Sequence, residues 1–329
     1  MPHADPVLIA LDWGSSSLRA FLMGAAGEVL AQREGGPGIT ALPQPGAEGF
    51  AAAFTAECGA WLARWPGLPV VAGGMVGSAQ GWREAPYVEC PADLGSLARA
   101  AVAVAAPGAR ILIAPGVLSR AAGAEGVPDV MRGEEIQLAG ALALRPALRG
   151  AARCILPGTH SKWVSLEAGR ITGFATHMTG ELFAVLRRHS LLGRLMPEAP
   201  AAPALAAAGF ARGLRLARSG GPGALPHQLF AARSLGLTGE MPSEALADFL
   251  SGLLIGHELL AGLAEGVPPG VPLALIGEAG LCRRYAAALA AFGAPEPLLL
   301  GNTAPAGLFG FAAAAGLVAP ATPAQEIAP

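Results

Sequence analysis

The stretch Val7 to Ala31, VLIALDWGSSSLRAFLMGAAGEVLA, decides how the fold is read. Val7 to Leu11 is a short, continuous apolar run, the pattern of a strand covered on both faces. Asp12 closes that run, and a glycine with three hydroxyls follows: Gly14, Ser15, Ser16 and Ser17. Leu18 to Met23 reads as a second strand, Ala25-Ala26-Gly27 as a turn, and Val29-Leu30 as the start of a third strand. The Gly/Ser turn therefore lies inside a hairpin, where its N–H groups and hydroxyls converge on one small volume. Successive N–H groups form an anion-binding concavity and glycine admits close backbone approach, so the turn suits phosphate oxygens. Serine and glycine are equally the residues of an ordinary hairpin turn.

A second stretch repeats this layout. In CILPGTHSKWVSLEAGRITGFA, an apolar strand from Cys154 to Leu156 meets a glycine and hydroxyl turn, Gly158-Thr159-His160-Ser161. A strand from Lys162 to Leu166, a turn at Ala168-Gly169 and a third strand through Ile171 follow. In both copies a basic residue opens the outgoing strand, Arg19 in one and Lys162 in the other. Lys162 is also the one lysine among 22 basic residues, at a position where a compact, flexible point charge replaces arginine's planar fork. The copies lie about half a chain apart, the size of a domain. Two domains, 1–150 and 151–329, are expected, each presenting a hairpin turn to a central cleft that holds a polyphosphate from both sides.

Composition excludes several classes. A net charge of −2 leaves no basic footprint for nucleic acid, and 5% aromatic residues argue against base-stacking platforms. The cysteines, Cys58, Cys90, Cys154 and Cys282, lack C-x-x-C spacing and indicate neither a zinc site nor a disulfide framework. The amino terminus has no basic n-region, so no signal peptide is expected. Apolar segments are interrupted well short of the ~20 residues of a membrane span, and a cytoplasmic location is expected. The stretch VVAGGMVGSAQG evokes a dinucleotide-binding turn, but Ala72 replaces its first glycine and no clear helix follows, which disfavours a nicotinamide oxidoreductase.

The paired hairpins resemble the phosphate loops of the sugar kinase, actin and Hsp70 superfamily. More closely, LDWGSSSLRAF, VAGGMVGSAQGWREAPYV, VMRGEEIQLAGA, LPGTHSKWV, MTGELFAVLRRHSLLG, FLSGLLIGHE and GEAGLCRRY together resemble the 2-dehydro-3-deoxygalactonokinase family. These segments run from residue 8 to about residue 285, in family order. The resemblance implies an α/β fold of two ribonuclease-H-like (actin-like ATPase) domains around a central cleft. It also implies ATP-dependent, Mg²⁺-assisted phosphorylation of the 6-hydroxyl of 2-dehydro-3-deoxy-D-galactonate. Its partners would be ATP and a small sugar acid, with no nucleic acid and no membrane, and it leaves a homodimer open. A kinase for a related sugar acid or sugar, and a non-catalytic nucleotide-binding regulator of the same fold, are the alternatives.

Individual roles follow from this frame. Asp12, at the carboxyl end of a buried strand, is the candidate Mg²⁺ ligand, or else accepts hydrogen bonds from its own turn. Gly14, Ser15, Ser16 and Ser17, with Gly158, Thr159, His160 and Lys162, are candidate ATP contacts. Helical spacing from Ile136 onward puts Glu134 and Glu135 in the first turn of a helix after Gly133. Acids there complement the helix dipole without any catalytic task. By likeness to the Gly-Asp segment of glycerol-type kinases, Glu134 is the preferred base and Glu135 its substitute. Arg19 and Arg132 are candidate forks for the substrate carboxylate. Met75, Gly77, Ser78 and Trp82 lie in a glycine-rich stretch where backbone approaches a sugar closely. In GEAGLCRRY the resemblance assigns Gly277, Ala279 and Gly280 to the adenosine pocket, although a plain strand-to-helix bend reads the same way.

Overall fold

The computed structural model describes residues 5–120, 126–220, 222–264 and 266–321. They form two compact units, one from residues 1–151, 165–174 and 302–329 and the other from 152–164 and 175–301.

In the first unit the opening stretch is a hairpin. Strands β1 (Leu8–Trp13) and β2 (Ser17–Met23) pair antiparallel, with Asp12 opposite Arg19. Strand β3 (Val29–Pro37) continues the meander, and helix α1 (Gly46–Arg64) follows it. Strand β4 (Val70–Gly73) runs parallel to β1 and sets Gly73 opposite Asp12. After β5 (Tyr87–Glu89) and α2 (Leu94–Arg99), strands β6 (Val102–Ala106) and β7 (Ala109–Ile113) form a hairpin whose second strand runs parallel to β4. The sheet order is β3-β2-β1-β4-β7-β6. An antiparallel meander joined to two parallel strands is the ribonuclease-H-like arrangement. Strands β8 (Gly116–Arg120) and β9 (Pro128–Met131) make a small sheet with β5, and helix α3 (Glu134–Leu144) leaves its end. The core is carried by Trp13, Leu18, Phe50, Phe54, Val70 and Ile111.

The second unit repeats the order. Strands β10 (Ala152–Leu156), β11 (Ser161–Glu167) and β12 (Arg170–His177) come first. Helices α4 (Thr179–His189), α5 (Pro203–Gly220), α6 (Leu225–Gln228), α7 (Ala231–Leu237) and α8 (Leu246–Gly262) follow. Strand β13 (Leu273–Ile276), helix α9 (Ala279–Ala291) and strand β14 (Leu298–Leu300) complete the unit. The sheet reads β12-β11-β10-β13-β14, with β10, β13 and β14 mutually parallel along the row. By length and composition Ser243–Gly262 could cross a bilayer, yet Phe249, Leu250, Leu253 and Leu259 of this segment are fully buried in the unit's cores.

The last helix, α10 (Ala304–Ala314), departs from the expected boundary. It belongs to the first unit, where it packs on α3. A Cβ on Gly140 would stand 1.9 Å from the Thr303 carbonyl oxygen, and one on Gly307 would stand 1.9 Å from that of Ile136. Only glycine at both positions lets these backbones come so close, and Thr303 Oγ1 seals the crossing with a 2.6 Å bond to the Gln137 carbonyl. The tip of the β11–β12 hairpin also joins the first unit, through a bridge between Ala92 and Ile171.

Candidate active site

Ligands of open α/β sheets bind beyond the carboxyl ends of the parallel strands, where the strand order reverses. In the first unit that place is the end of β1 and β4. Asp12 sits there half-buried, with Arg19 Nη2 2.7 Å from its Oδ2. Burial lifts the Asp12 carboxyl above its ordinary range, and Arg19 beside it pulls in the opposite direction. The Gly14–Ser17 turn is fixed through its carbonyls. Ser17 O accepts from Gly14 N, Gly14 O accepts from Ile39 N, and Ser15 O accepts from both Thr40 N and Thr40 Oγ1. Ser15 and Ser16 are exposed. The Gly14 N–H closes the turn onto Ser17 O, so the exposed Ser15 and Ser16 carry what the turn offers an anion.

The head of α3 comes to the same place. Gly74 and Gly133 both have left-handed φ, +94° and +107°. A Cβ on Gly74 would lie 2.8 Å from the Trp13 carbonyl oxygen, and one on Gly133 would lie 3.3 Å from Gly74 Cα. The ends of β1 and β4 and the start of α3 thus meet backbone to backbone. Arg132 N donates to Glu134 Oε2 at 3.1 Å, and Gly133 N donates to Glu135 Oε2 at 2.7 Å.

The two glutamates then part. Glu134 is half-buried beside the Gly133–Gly74 contact. Glu135 is buried and borders an open pocket of about 310 Å³ walled by Leu94, Leu97, Leu142 and Ile171. Burial pushes the Glu135 carboxyl up to about 8, and the neighbouring Glu134 charge adds to the rise. Glu135 Oε2 is engaged by Gly133 N, and its Oε1 is buried with no hydrogen-bond partner among the described residues.

The glycine-rich stretch forms a single 3₁₀ turn, Met75–Gly77, directly after Gly74. Arg132 reaches this turn: its Nη1 lies 3.0 Å from where a Cβ on Gly77 would stand. Met75 is half-buried there, and Ser78 follows. Trp82 is half-buried: its ring stacks on Phe50 at 5.7 Å and meets Trp13 and Phe54, which braces the core beneath the turn. Arg19 is held at the Gly14–Ser17 turn by its Nη2 contact with Asp12, while its Nε is buried with no hydrogen-bond partner among the described residues.

In the second unit the equivalent place is the end of β10 and β13. The turn Gly158-Thr159 rests on the head of α4, where Glu181 N donates to Thr159 O at 3.0 Å and Gly180 approaches Gly158 O. His160 is exposed and pairs with Glu181. Gly277 is adjacent, since a Cβ there would lie 3.6 Å from Pro157 O. The Gly280 N–H goes to an N-cap: Glu278 accepts from Gly280 N and Leu281 N at 2.6 and 2.7 Å, which holds its carboxyl below the ordinary range. Ala279 is exposed at the same helix start. Lys162 is buried in β11 and donates to Thr176 Oγ1 at 2.7 Å, a contact across the hairpin.

Sequence reasoning missed Glu258. This buried carboxylate of α8 accepts from Ser161 Oγ (2.7 Å), Trp163 Nε1 (2.7 Å), Tyr285 Oη (2.6 Å) and Thr179 Oγ1. A buried charge is tolerated when it is fully hydrogen-bonded, and here the bonds pin the phosphate-suited turn to α4, α8 and α9. An acid flanked by leucines in LLIGHELLAG was the available signal. Among the described residues no group of three or more His, Cys, Asp and Glu side chains is placed to hold a metal. A Mg²⁺ carried by phosphates needs only one or two protein carboxylates, a demand that Asp12 at the turn fits.

A family model described as 2-keto-3-deoxy-galactonokinase matches residues 12–311. A Rhizobium meliloti (strain 1021) protein described as a probable 2-dehydro-3-deoxygalactonokinase is 40% identical over 286 residues, covering 85% of this chain and 88% of that protein. The Escherichia coli (strain K12) 2-dehydro-3-deoxygalactonokinase is 38% identical over 296 residues, covering 90% and 94%. A Sinorhizobium meliloti crystal structure assigned to the same enzyme superposes with a TM-score of 0.82 at 36% identity, covering 93% and 98% of the two chains. With a family model spanning nearly its whole length and relatives of this identity, the chain belongs to the 2-keto-3-deoxy-galactonokinase family.

Proposed function

We propose that this protein transfers the γ-phosphoryl group of ATP to the 6-hydroxyl of 2-dehydro-3-deoxy-D-galactonate. The observation that supports this most is the meeting of Asp12, Gly74 and Gly133-Glu134 at the ends of β1 and β4, in a chain of this family.

Phosphoryl transfer asks the protein mainly for positioning and charge. The exposed Ser15–Ser16 face of the first turn and the turn at Gly158-Thr159 take phosphate oxygens, with Arg19 supplying a cation next to the first. Gly277 provides backbone for the nucleoside end. Asp12 holds Mg²⁺ directly or through water, and the ion, when bound, neutralises charge on the transferring phosphate. Glu134 orients the acceptor hydroxyl and takes its proton late in a loose transition state, which an ordinary carboxylate can do. The Met75–Ser78 turn lies against the sugar acid.

The test is ATP consumption by the purified protein across a panel of sugar acids and neutral sugars. Turnover restricted to 2-keto-3-deoxy acids is expected. Equal or better turnover with glycerol, xylulose or a neutral hexose overturns the substrate assignment.

A further inference from the structure

Arg132 carries more bonding capacity than the structure uses. Its Nη2 donates to the Ala85 carbonyl at 2.8 Å, and its guanidinium lies 4.4 Å from the centre of the Tyr87 ring. These two contacts fix the plane of the fork. Nε and Nη1 are buried and have no hydrogen-bond partner among the described residues. Ser78 Oγ, one residue beyond the Gly77 position that Arg132 Nη1 touches, is likewise buried and unpartnered. Buried donors left unmet are costly, so a pre-oriented set of them in one place awaits an acceptor.

Nη2 keeps a second hydrogen, so one edge of the fixed fork, Nη2 with either Nε or Nη1, grips a carboxylate through two parallel bonds and leaves the other unmet donor for a neighbouring oxygen. Resting on the kinase reading above, we propose that Arg132 is the residue that selects an acid over a neutral sugar. It takes the substrate carboxylate, and Ser78 Oγ bonds the neighbouring 2-keto oxygen. The main chain of Arg132 meanwhile anchors Glu134, since Arg132 N donates to Glu134 Oε2. One residue thus grips the acid end through its side chain and sets the base through its backbone. Binding energy from the unreactive end of the substrate is thereby tied to orientation at the reacting hydroxyl.

Steady-state kinetics on wild type, Arg132→Lys, Arg132→Met and Ser78→Ala test this, using the sugar acid and its carboxamide, with ATP affinity measured by calorimetry. For both Arg132 variants, KM for the acid should rise roughly 10- to 100-fold, the loss of a charge-assisted pair. Lysine should not rescue, because it keeps the charge without the fork. Wild type should show the same rise in KM when the acid is replaced by its carboxamide, while ATP affinity stays unchanged. The Ser78→Ala variant should raise KM by a smaller factor with either compound. An unchanged KM for the acid in Arg132→Met, or equal losses for acid and carboxamide, overturns the proposal. If Arg132→Met does not fold, Arg132→Lys compared on acid and carboxamide still decides it. Wild type that prefers a neutral sugar defeats the substrate assignment on which the proposal rests, an outcome distinct from a wild type that prefers the acid with Arg132 playing no part.

Discussion

Adjacent residues of a helix point about 100° apart, so Glu134 and Glu135 cannot share one task. Glu134 stands beside Gly133 and Gly74, and Glu135 is enclosed next to Leu94, Leu97 and Ile171. Glu134→Gln should fold and bind both substrates yet lose on the order of 10²–10⁴ in turnover, as removal of a general base does. Glu135→Gln should leave turnover nearly intact, which single-turnover assays on the pair check together. The Glu135 substitution should speak through stability instead. Its carboxyl rises from 4.5 to about 8 on folding, so the folded state keeps a proton that the unfolded state releases. Its contribution is complete below the lower value and is lost as the pH climbs, by about 1.4 kcal/mol per pH unit until the upper value is reached. Denaturant titrations of wild type and Glu135→Gln between about pH 5 and pH 8 should therefore diverge, the variant gaining relative stability as pH rises. Parallel stability curves would mean that the carboxyl ionises on an ordinary scale.

At the scale of elements, two strand–turn–strand hairpins carry the candidate phosphate contacts, and each turn is held by something the local sequence does not display. The first is anchored by Ile39 and Thr40, the second by the head of α4 and by Glu258 of α8. These anchors leave the glycines themselves with space. A Cβ on Gly14 would meet only Ser17 O, at 3.7 Å, and one on Gly158 would meet nothing within 4 Å. Valine at either position should therefore spare the fold while obstructing phosphate approach. Calorimetric titration with ATP should show weaker binding for both Gly14→Val and Gly158→Val at unaltered melting temperature. Full affinity in both folded variants would remove the turns from the nucleotide site. The hairpins and the α3 start at Glu134 were legible because apolar periodicity and glycine turns act over a few residues. The partners of Lys162, Trp82 and Arg19 were not legible, for the converse reason. Thr176, Phe50 and Asp12, which occupy them, come close only through strand pairing or packing, and a residue type does not reveal whether its charge or ring is already engaged.

For the molecule as a whole, the repeat of one strand order in both units was legible from the repeated hairpin, whereas the return of α10 to the first unit was not. Its small residues, in NTAPAGLFGFAAAAG, suit any close packing, and nothing local names Gly140 as the partner of Gly307. That crossing also orders events during synthesis. A chain emerging from the ribosome amino end first has all of residues 152–301, the bulk of the second unit, before Ala304–Ala314 exists. Until then α3 lacks the helix that covers its Gly140 side, and Glu134 stands on a helix still missing a neighbour. A chain ended before Ala304 should consequently show fast amide exchange across α3 beside slow exchange across α8, measured by mass spectrometry; equal protection of α3 with and without α10 would refute this. The helix that carries Glu134 is thus completed only by a segment made after the whole of residues 152–301, so the first unit finishes packing no earlier than the second has been synthesised.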